Sequence, residues 1–248
     1  SNYFSGIVAY DNQYNKKALK FFQSSNFLIK KHDPYLKKYI YSLVLENKIK
    51  KATSEIKQNL KNNNSNFFEA YLILALDSLK EKDFKKSQNY LDKSFKFIKN
   101  DRLELVIYET LKEYLIVFKE NKIPKKEKKF GNFSFINEVF QRCYLEDKNT
   151  NNYFRSLINS QNDMEYSRYF FFYIHYLVEN NKLDDARQIT NNLDSLDNSL
   201  LSSQGKAWIE KKKLDKFIEI FSCKNPNDLI GEFFFLIANL YATQTEYN

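Results

Sequence analysis

Glycine and proline are scarce in this chain of 248 residues, which contains only 4 Gly and 3 Pro. Sandwiches, barrels and doubly wound sheets use both residues at their many turns, and loops that hold phosphate need clustered glycines. The glycines of this chain lie far apart, at Gly6, Gly131, Gly205 and Gly231. This scarcity excludes Walker and Rossmann nucleotide sites.

Histidine and cysteine are also rare, with two of each. His32, His175, Cys143 and Cys223 are too few and too scattered for a structural zinc cluster, and no catalytic signature accompanies them. We therefore expect no catalytic residue, no cofactor and no metal, and the chain is predicted not to be an enzyme. The two cysteines lie far apart in the chain, which is unlike a disulfide-dense secreted scaffold, and are interpreted as small buried apolar residues.

Apolar residues are abundant but form no long run. Of the chain, 43% is hydrophobic and 17% aromatic, which is enough to build a core. The densest apolar stretches, 169–174 and 233–238, are far shorter than the roughly 18 residues that a membrane helix requires. We expect a soluble protein without membrane insertion. Since residue 1 is a serine inside a patterned segment, the true N-terminus is expected to lie upstream; the compartment is left open, with the cytoplasm slightly favoured.

The net charge of +8 raises nucleic acid as a partner, because 39 Lys and Arg stand against 31 Asp and Glu. Only five of the 39 basic residues are Arg, whereas phosphate and guanine contacts favour the guanidinium group. The lysines are better interpreted as solvated surface, and nucleic acid is not favoured as a partner. The densest basic cluster, 119–129 around Pro124, is predicted to be a loop.

A regular period runs through much of the sequence. Ala18, Ala52 and Ser87 are almost evenly spaced, at intervals of roughly 34 residues, a length typical of stacked supersecondary units. Each of them follows an apolar or aromatic residue by three or four positions. Later in the chain, Leu183, Leu214 and Tyr247 recur at a similar spacing. The period therefore predicts a repeat protein.

A second marker supports helical hairpins as the unit. Small residues recur nine positions before the large residue of a unit, or in the equivalent place: Gly6, Ala75, Gly205 and Ala238. Small residues allow two helices to cross closely. Short breaks at 47–48, 82–83, 180–182 and 212–213 predict antiparallel helix pairs.

Hydrophobic periodicity places helices outside the regular units as well. Between 101 and 118 the apolar residues recur every three or four positions, which predicts an amphipathic helix. A further helix is predicted after Ser134, which is interpreted as its N-cap. Pro34 and Pro226 are expected to open helices.

These small and large residues at their spacing make the chain similar to the tetratricopeptide repeat (TPR) family, of bacterial type, and to a fragment of a longer member. The most similar unit, 70–95, contains Leu74, Ala75, Phe84, Ser87 and Leu91. The resemblance implies an all-α fold in which helix pairs stack into a right-handed superhelix. Between about 96 and 165 the spacing fails. Sel1-like and pentatricopeptide arrays are alternatives.

Three regions follow from this organisation. Residues 1–118 are predicted to hold about three repeat units and a long helix, and 119–134 a basic loop. Residues 135–248 are predicted to hold a degenerate pair and then further units, the last of them truncated.

The resemblance also implies where a partner would bind, because the first helix of each pair lines the concave face in this family. The candidates are Lys37, Lys38, Tyr41, Arg168, Phe171, His175, Lys206 and Asn239. The family's clamp for a terminal carboxylate is predicted to be absent, since the third unit carries Leu72, Ile73 and Leu76 instead. The favoured hypothesis is a scaffold that binds a protein or peptide. An RNA-binding repeat protein and the non-catalytic region of a larger enzyme are alternatives, and the oligomeric state is left open.

Overall fold

A computed structural model describes residues 2–60, 66–99, 102–125, 128, 130–159, 167–193, 206–207, 209 and 221–245. Every regular element in this part of the chain is a helix, which confirms the all-α class. The chain divides into two compact units, Ser1–Leu115 and Ile116–Asn248. We call them the N-terminal and the C-terminal unit and describe each by itself.

The N-terminal unit holds successive helices that pack in chain order. They are α1 (Asn2–Asp11), α2 (Asn15–Ser24), α3 (Asp33–Leu45), α4 (Ile49–Asn59), α5 (Phe68–Lys80), α6 (Phe84–Ser94) and the first part of α7 (Arg102–Glu120). Each helix from α1 to α5 packs against the next one, and α1 also contacts α3. The helix predicted over 101–118 is confirmed as α7. Pro34 lies in the first turn of α3, as predicted.

Helices α1 and α3 run in the same direction. Near their N-terminal ends the rings of Tyr3 and Tyr35 lie 6.0 Å apart, and towards the C-terminal end of α1 the Lys38 ammonium lies 4.4 Å from the centre of the Tyr10 ring. Helix α2 lies against both α1 and α3. The first helices of two successive hairpins are therefore parallel neighbours.

The C-terminal unit contains α8 (Asn132–Tyr144), α9 (Thr150–Asn159), α10 (Ser167–Glu179), α11 (Leu183–Leu193) and α12 (Pro226–Thr245). Helices α8 to α11 also pack in chain order. None of the helices described in either unit is long and apolar enough to cross a membrane.

The start of α8 differs from the prediction that Ser134 is its N-cap. The helix begins earlier, after Gly131, and Ser134 lies inside it, where its Oγ accepts a hydrogen bond of 2.8 Å from the Phe130 N–H. The basic loop predicted over 119–134 is accordingly too long at both ends, because α7 continues to Glu120 and α8 starts at Asn132.

Four hairpins, α1–α2, α3–α4, α5–α6 and α10–α11, share one turn, and α8–α9 has a similar one at Glu146. A residue with φ between 54° and 61° ends the first helix in each of the four: Gln13, Asn47, Lys82 and Asn181. The N–H of the following residue donates to the carbonyl five residues earlier, as from Lys48 to Leu43 at 2.8 Å. This is the Schellman pattern, in which glycine usually takes the left-handed position. Because Asn, Gln and Lys take it here, these turns form without glycine, and the predicted breaks at 47–48, 82–83 and 180–182 are confirmed.

A small buried residue follows each of these four left-handed residues by five positions. These residues are at most 1% exposed: Ala18, Ala52, Ser87 and Ala186. Ser87 Oγ donates a hydrogen bond of 2.8 Å to the Ala75 carbonyl of the paired helix, and Gly6 lies directly against Phe22. The close crossings predicted from small residues are therefore confirmed at Gly6 and Ala75, whereas Ala238 is exposed on α12. Gly205, Leu214, Tyr247 and the break at 212–213 lie outside the described residues.

A disulfide bond joins Cys143, near the end of α8, to Cys223, in the segment before α12. Both cysteines are buried, as expected, but their interpretation as separate core residues is corrected. Phe221 stacks on Phe172 of α10 with ring centres 4.1 Å apart, which holds the segment before α12 against the unit. The bond therefore closes a junction that aromatic packing also forms.

Candidate functional site

Six of the eight residues predicted to meet a partner lie on two helices. Helix α3 carries Lys37, Lys38 and Tyr41, and α10 carries Arg168, Phe171 and His175. Lys206 and the residue after it are helical, and Asn239 is exposed on α12. Because α3 and α10 belong to different units, the two groups are described separately.

Lys37 and Tyr41 of α3 converge on one carboxylate of α5. The Lys37 Nζ lies 2.9 Å from Glu69 Oε1, and the Tyr41 hydroxyl donates a hydrogen bond to the same oxygen. The Lys37 ammonium also lies 5.5 Å from the ring centres of both Tyr41 and Phe67. These contacts couple α3 to α5 by charge and by cation–π attraction.

Lys38 connects α3 to the preceding first helix, α1. Its Nζ lies 4.4 Å from the centre of the Tyr10 ring and 3.9 Å from Asp11 Oδ1. Tyr10 precedes Lys38 by 28 residues, and Tyr41 precedes Glu69 by the same number. One contact between each pair of consecutive first helices thus spans 28 residues. We call this set the first-helix seam: Tyr10, Asp11, Lys37, Lys38, Tyr41 and Glu69.

The seam is polar and electrically balanced, with two lysines against two carboxylates. Burial alone would raise the pKa of Glu69, but hydrogen bonds from Tyr41 and Lys37 and the charge of Lys37 hold it below its ordinary value of 4.5. Burial, followed by the hydrogen bond to Glu69, raises the pKa of Tyr41 far above its ordinary value. At neutral pH the carboxylate is therefore charged and the phenol remains a donor.

We expect Glu69→Gln to lower the free energy of unfolding by about 1 kcal/mol near pH 7, because the amide cannot replace a charged acceptor. The contribution of Glu69 is fully present above its unfolded-state pKa of about 4.5. Since its folded pKa is lower, the difference from wild type should shrink as pH falls through that range and vanish once the carboxyl is protonated. Urea unfolding of wild type and variant at pH 7 and pH 3 measures this difference in the free energy of unfolding.

Glu81→Gln is the matched control, because Glu81 is exposed in the turn after α5. The free energy of unfolding of this variant should equal that of wild type at both pH values. A loss at Glu69→Gln that is the same at pH 3 as at pH 7 would contradict the electrostatic assignment.

Of the candidates on α10, His175 offers a partner little surface. The His175 side chain is only 12% exposed, and its Nδ1 lies 3.7 Å from Glu179 Oε2. Phe171 is half-buried, and the side chain of Arg168 lies outside the described residues. Lys206 lines a small cleft of about 220 Å³ together with Arg187 and Asn191.

Glu69, Tyr10 and Asp11 belong to the seam but were not among the predicted residues. The repeat interval of roughly 34 residues does not lead from Lys38 and Tyr41 to Tyr10 and Glu69, which lie 28 residues away. Across the described part of the chain, no group of three or more His, Cys, Asp and Glu side chains could hold a metal ion.

Comparisons of the chain with protein-family models, with curated proteins and with solved structures find no match.

Proposed function

We propose that the chain is a non-enzymatic scaffold of the tetratricopeptide type that binds a peptide or partner protein on the face formed by its first helices. In this proposal the hairpins stack into a right-handed superhelix. Two features support it. Four hairpins share the same turn and the same buried small residue, and α1 to α6 and α8 to α11 pack in chain order.

The first-helix seam carries the proposal. It aligns side chains of three successive first helices, and its groups are only partly covered, with the Lys38 side chain 35% and Asp11 60% exposed. Groups of both signs beside aromatic rings suit a partner with mixed polar and apolar side chains. A role as the non-catalytic region of a larger enzyme is compatible with the same face.

RNA is the weaker candidate for this face. Each seam lysine already faces a carboxylate, Glu69 for Lys37 and Asp11 for Lys38. Nucleic acid gains affinity when lysines and arginines whose charge is not already balanced neutralise its phosphates and release the counterions condensed on them. Binding of RNA here would have to break these ion pairs.

The disulfide bond favours an oxidising compartment for the protein over the cytoplasm that the sequence slightly favoured. Such bonds form and persist outside the reducing cytosol, and both cysteines are buried, at 3% and 6% exposure. We propose that the scaffold works in such a compartment.

A random peptide library displayed on phage, panned against the full chain, tests the binding proposal. We expect related peptides to be enriched. Synthetic copies of them should bind Lys38→Glu at least about tenfold more weakly than wild type, because the variant places a carboxylate beside Asp11 and removes the cation above Tyr10.

Lys85→Glu is the charge-matched control, since Lys85 is exposed on a second helix, α6. It should retain affinity within about twofold. Failure to enrich any peptide, or an equal loss in both variants, would contradict the proposal. A random RNA pool whose binding falls steeply with salt and disappears in Lys38→Glu would favour the RNA alternative instead.

A further inference from the structure

A cleft of about 910 Å³ opens between the N-terminal half of α1 and the segment that leads into α3. Its walls include Tyr3, Phe4, Ile7, Phe27, Leu28 and Pro34. Phe4 and Phe27 are 67% and 68% exposed and line the same cleft, and exposed apolar side chains that are grouped rather than scattered are typical of binding sites. The volume is in the range of sites that enclose a small ligand or a few side chains.

Hydrogen bonds fix the shape of this cleft. In the segment before α3, the Leu28 N–H donates to the Ser25 carbonyl, and the Lys31 and His32 N–H groups donate to the Leu28 carbonyl, each at 2.9 Å. The His32 Nε2 lies 3.0 Å from the Tyr3 hydroxyl, with the two ring centres 4.9 Å apart. Phe27 is therefore presented on a closed turn rather than on a loose loop, which lowers the entropy lost on binding.

The charge around the cleft favours an acidic ligand. Lys31 and His32 line the cleft itself. Apart from Lys37 and Lys38, and from the seam carboxylates that balance their charges, the chain from residue 2 to residue 45 contains five lysines against Asp33 as the acidic residue. An apolar depression in a basic surface complements a large apolar side chain that has carboxylates close to it.

The cleft also lies on α1 and α3, two of the three helices that form the first-helix seam. Asp11 follows Phe4 by seven residues in α1, and Lys38 follows Pro34 by four in α3. At 1.5 Å per helical residue this is about 6–10 Å, the length of two or three residues of an extended peptide. One extended segment can reach both places.

We propose that this cleft binds one large apolar side chain of an acidic peptide segment, with a neighbouring carboxylate meeting Lys31 and the rest of the segment running towards the seam. The inference rests on the proposed scaffold function and names the chemistry of its ligand. The apolar side chain supplies affinity, and the carboxylate supplies orientation.

Fluorescence anisotropy with the full chain and labelled nine-residue peptides tests it. The probe carries one Trp, two Asp at the second and third positions after it, and Gly or Ser elsewhere. We expect saturable binding, and at least about tenfold weaker binding when Trp is replaced by Ala or both Asp by Lys. Phe27→Ser should weaken binding of the Trp probe at least about tenfold, and Lys31→Glu at least about threefold.

Each of the two variants has a matched control. Tyr14 is 60% exposed and lies in the α1–α2 turn away from the cleft, so Tyr14→Ser should retain affinity within about twofold. Lys30 adjoins Lys31 but does not line the cleft, and Lys30→Glu should have the smaller effect. Phe27 and Tyr14 are both exposed, so neither change removes core packing.

Equal affinity for the Trp and Ala peptides, or equal losses in Phe27→Ser and Tyr14→Ser, would overturn the inference. Binding of U-rich RNA that needs Phe27, without peptide binding, would overturn it as well. Peptides enriched from the phage library that need Lys38 but not Phe27 would refute the cleft and leave the scaffold proposal standing. Designed peptides that need Phe27 but not Lys38 would support the cleft and refute the role of the seam.

Discussion

Replacing Cys143 and Cys223 together with Ala should lower the free energy of unfolding of the C-terminal unit by about 4 kcal/mol. The bond joins residues separated by 80 positions, and a cross-link over a loop of that length removes about 4.5 kcal/mol of chain entropy from the unfolded state. Urea unfolding followed by circular dichroism measures the loss. Hydrogen exchange in peptides from α8 and α12 assigns it to this unit.

Reduction provides the control for this prediction. A thiol reductant should destabilise wild type by a similar amount and leave the double variant unchanged. Each single variant, Cys143→Ala or Cys223→Ala, should lose nearly as much as the double variant, since either one removes the cross-link. If the double variant and wild type have the same free energy of unfolding in the absence of reductant, the bond does not stabilise the folded protein.

The double variant is expected to fold, because other contacts hold the same junction. Phe221 packs between Phe140 and Phe172, with ring centres 5.1 and 4.1 Å away. Across the junction an exposed ion pair joins Lys224 to Glu146 at 2.8 Å and contributes little. The aromatic contacts therefore account for most of the order that survives loss of the disulfide.

The helical hairpins were predictable because close packing constrains their sequence. Ala18, Ala52, Ser87 and Ala186 occupy one place in four hairpins, where a second helix crosses the first and a large side chain does not fit. The turns were predictable by position but not by residue type, because Asn47 and Lys82 take a left-handed conformation usually reserved for glycine. The residue types in the turns therefore predicted the hairpins less well than the period of the sequence did.

The contacts between distant residues were less predictable. The period assigns Lys37 and Lys38 to the first helix of a hairpin, but it does not say which groups of the neighbouring helices they reach. Their pairing with Glu69 and Asp11 changes the surface from a basic one to a balanced one. The disulfide is a similar case, since Cys143 lies where the period fails, Cys223 lies in the segment before α12, and no spacing rule joins them.

Gly6→Ala should destabilise the N-terminal unit by about 2 kcal/mol through overpacking, although alanine favours helices more than glycine does. A Cβ at Gly6 would lie 2.8 and 2.9 Å from two atoms of the Phe22 ring and 3.3 Å from the Phe21 Cβ. Because two of these distances are under 3.0 Å, the overpacking cost lies at the upper end of its usual range, at about 3 kcal/mol, and exceeds the gain of about 1 kcal/mol in helix propensity by about 2 kcal/mol. Urea unfolding, with hydrogen exchange in peptides from α1 and α2, measures the loss.

Gly231→Ala is the matched control and should have the opposite sign. Gly231 is also inside a helix, but nothing lies within 4 Å of the position that its Cβ would take, so alanine should stabilise α12 by up to about 1 kcal/mol. Equal effects at the two glycines would mean that propensity alone governs both and that α1 and α2 do not cross closely at Gly6.

A small shift of the Phe22 ring cannot relieve the clash with a Cβ at position 6. The ring is fully buried, and the rings of Tyr3 and Tyr35 lie 6.0 and 6.3 Å away, so it has no free space to enter. Trimming it should restore the space: in the Gly6→Ala background, Phe22→Leu should cost about 1 kcal/mol less than it does in wild type. Such coupling would locate the close crossing between these two residues and would tie the small-residue period of the sequence to a measured steric constraint.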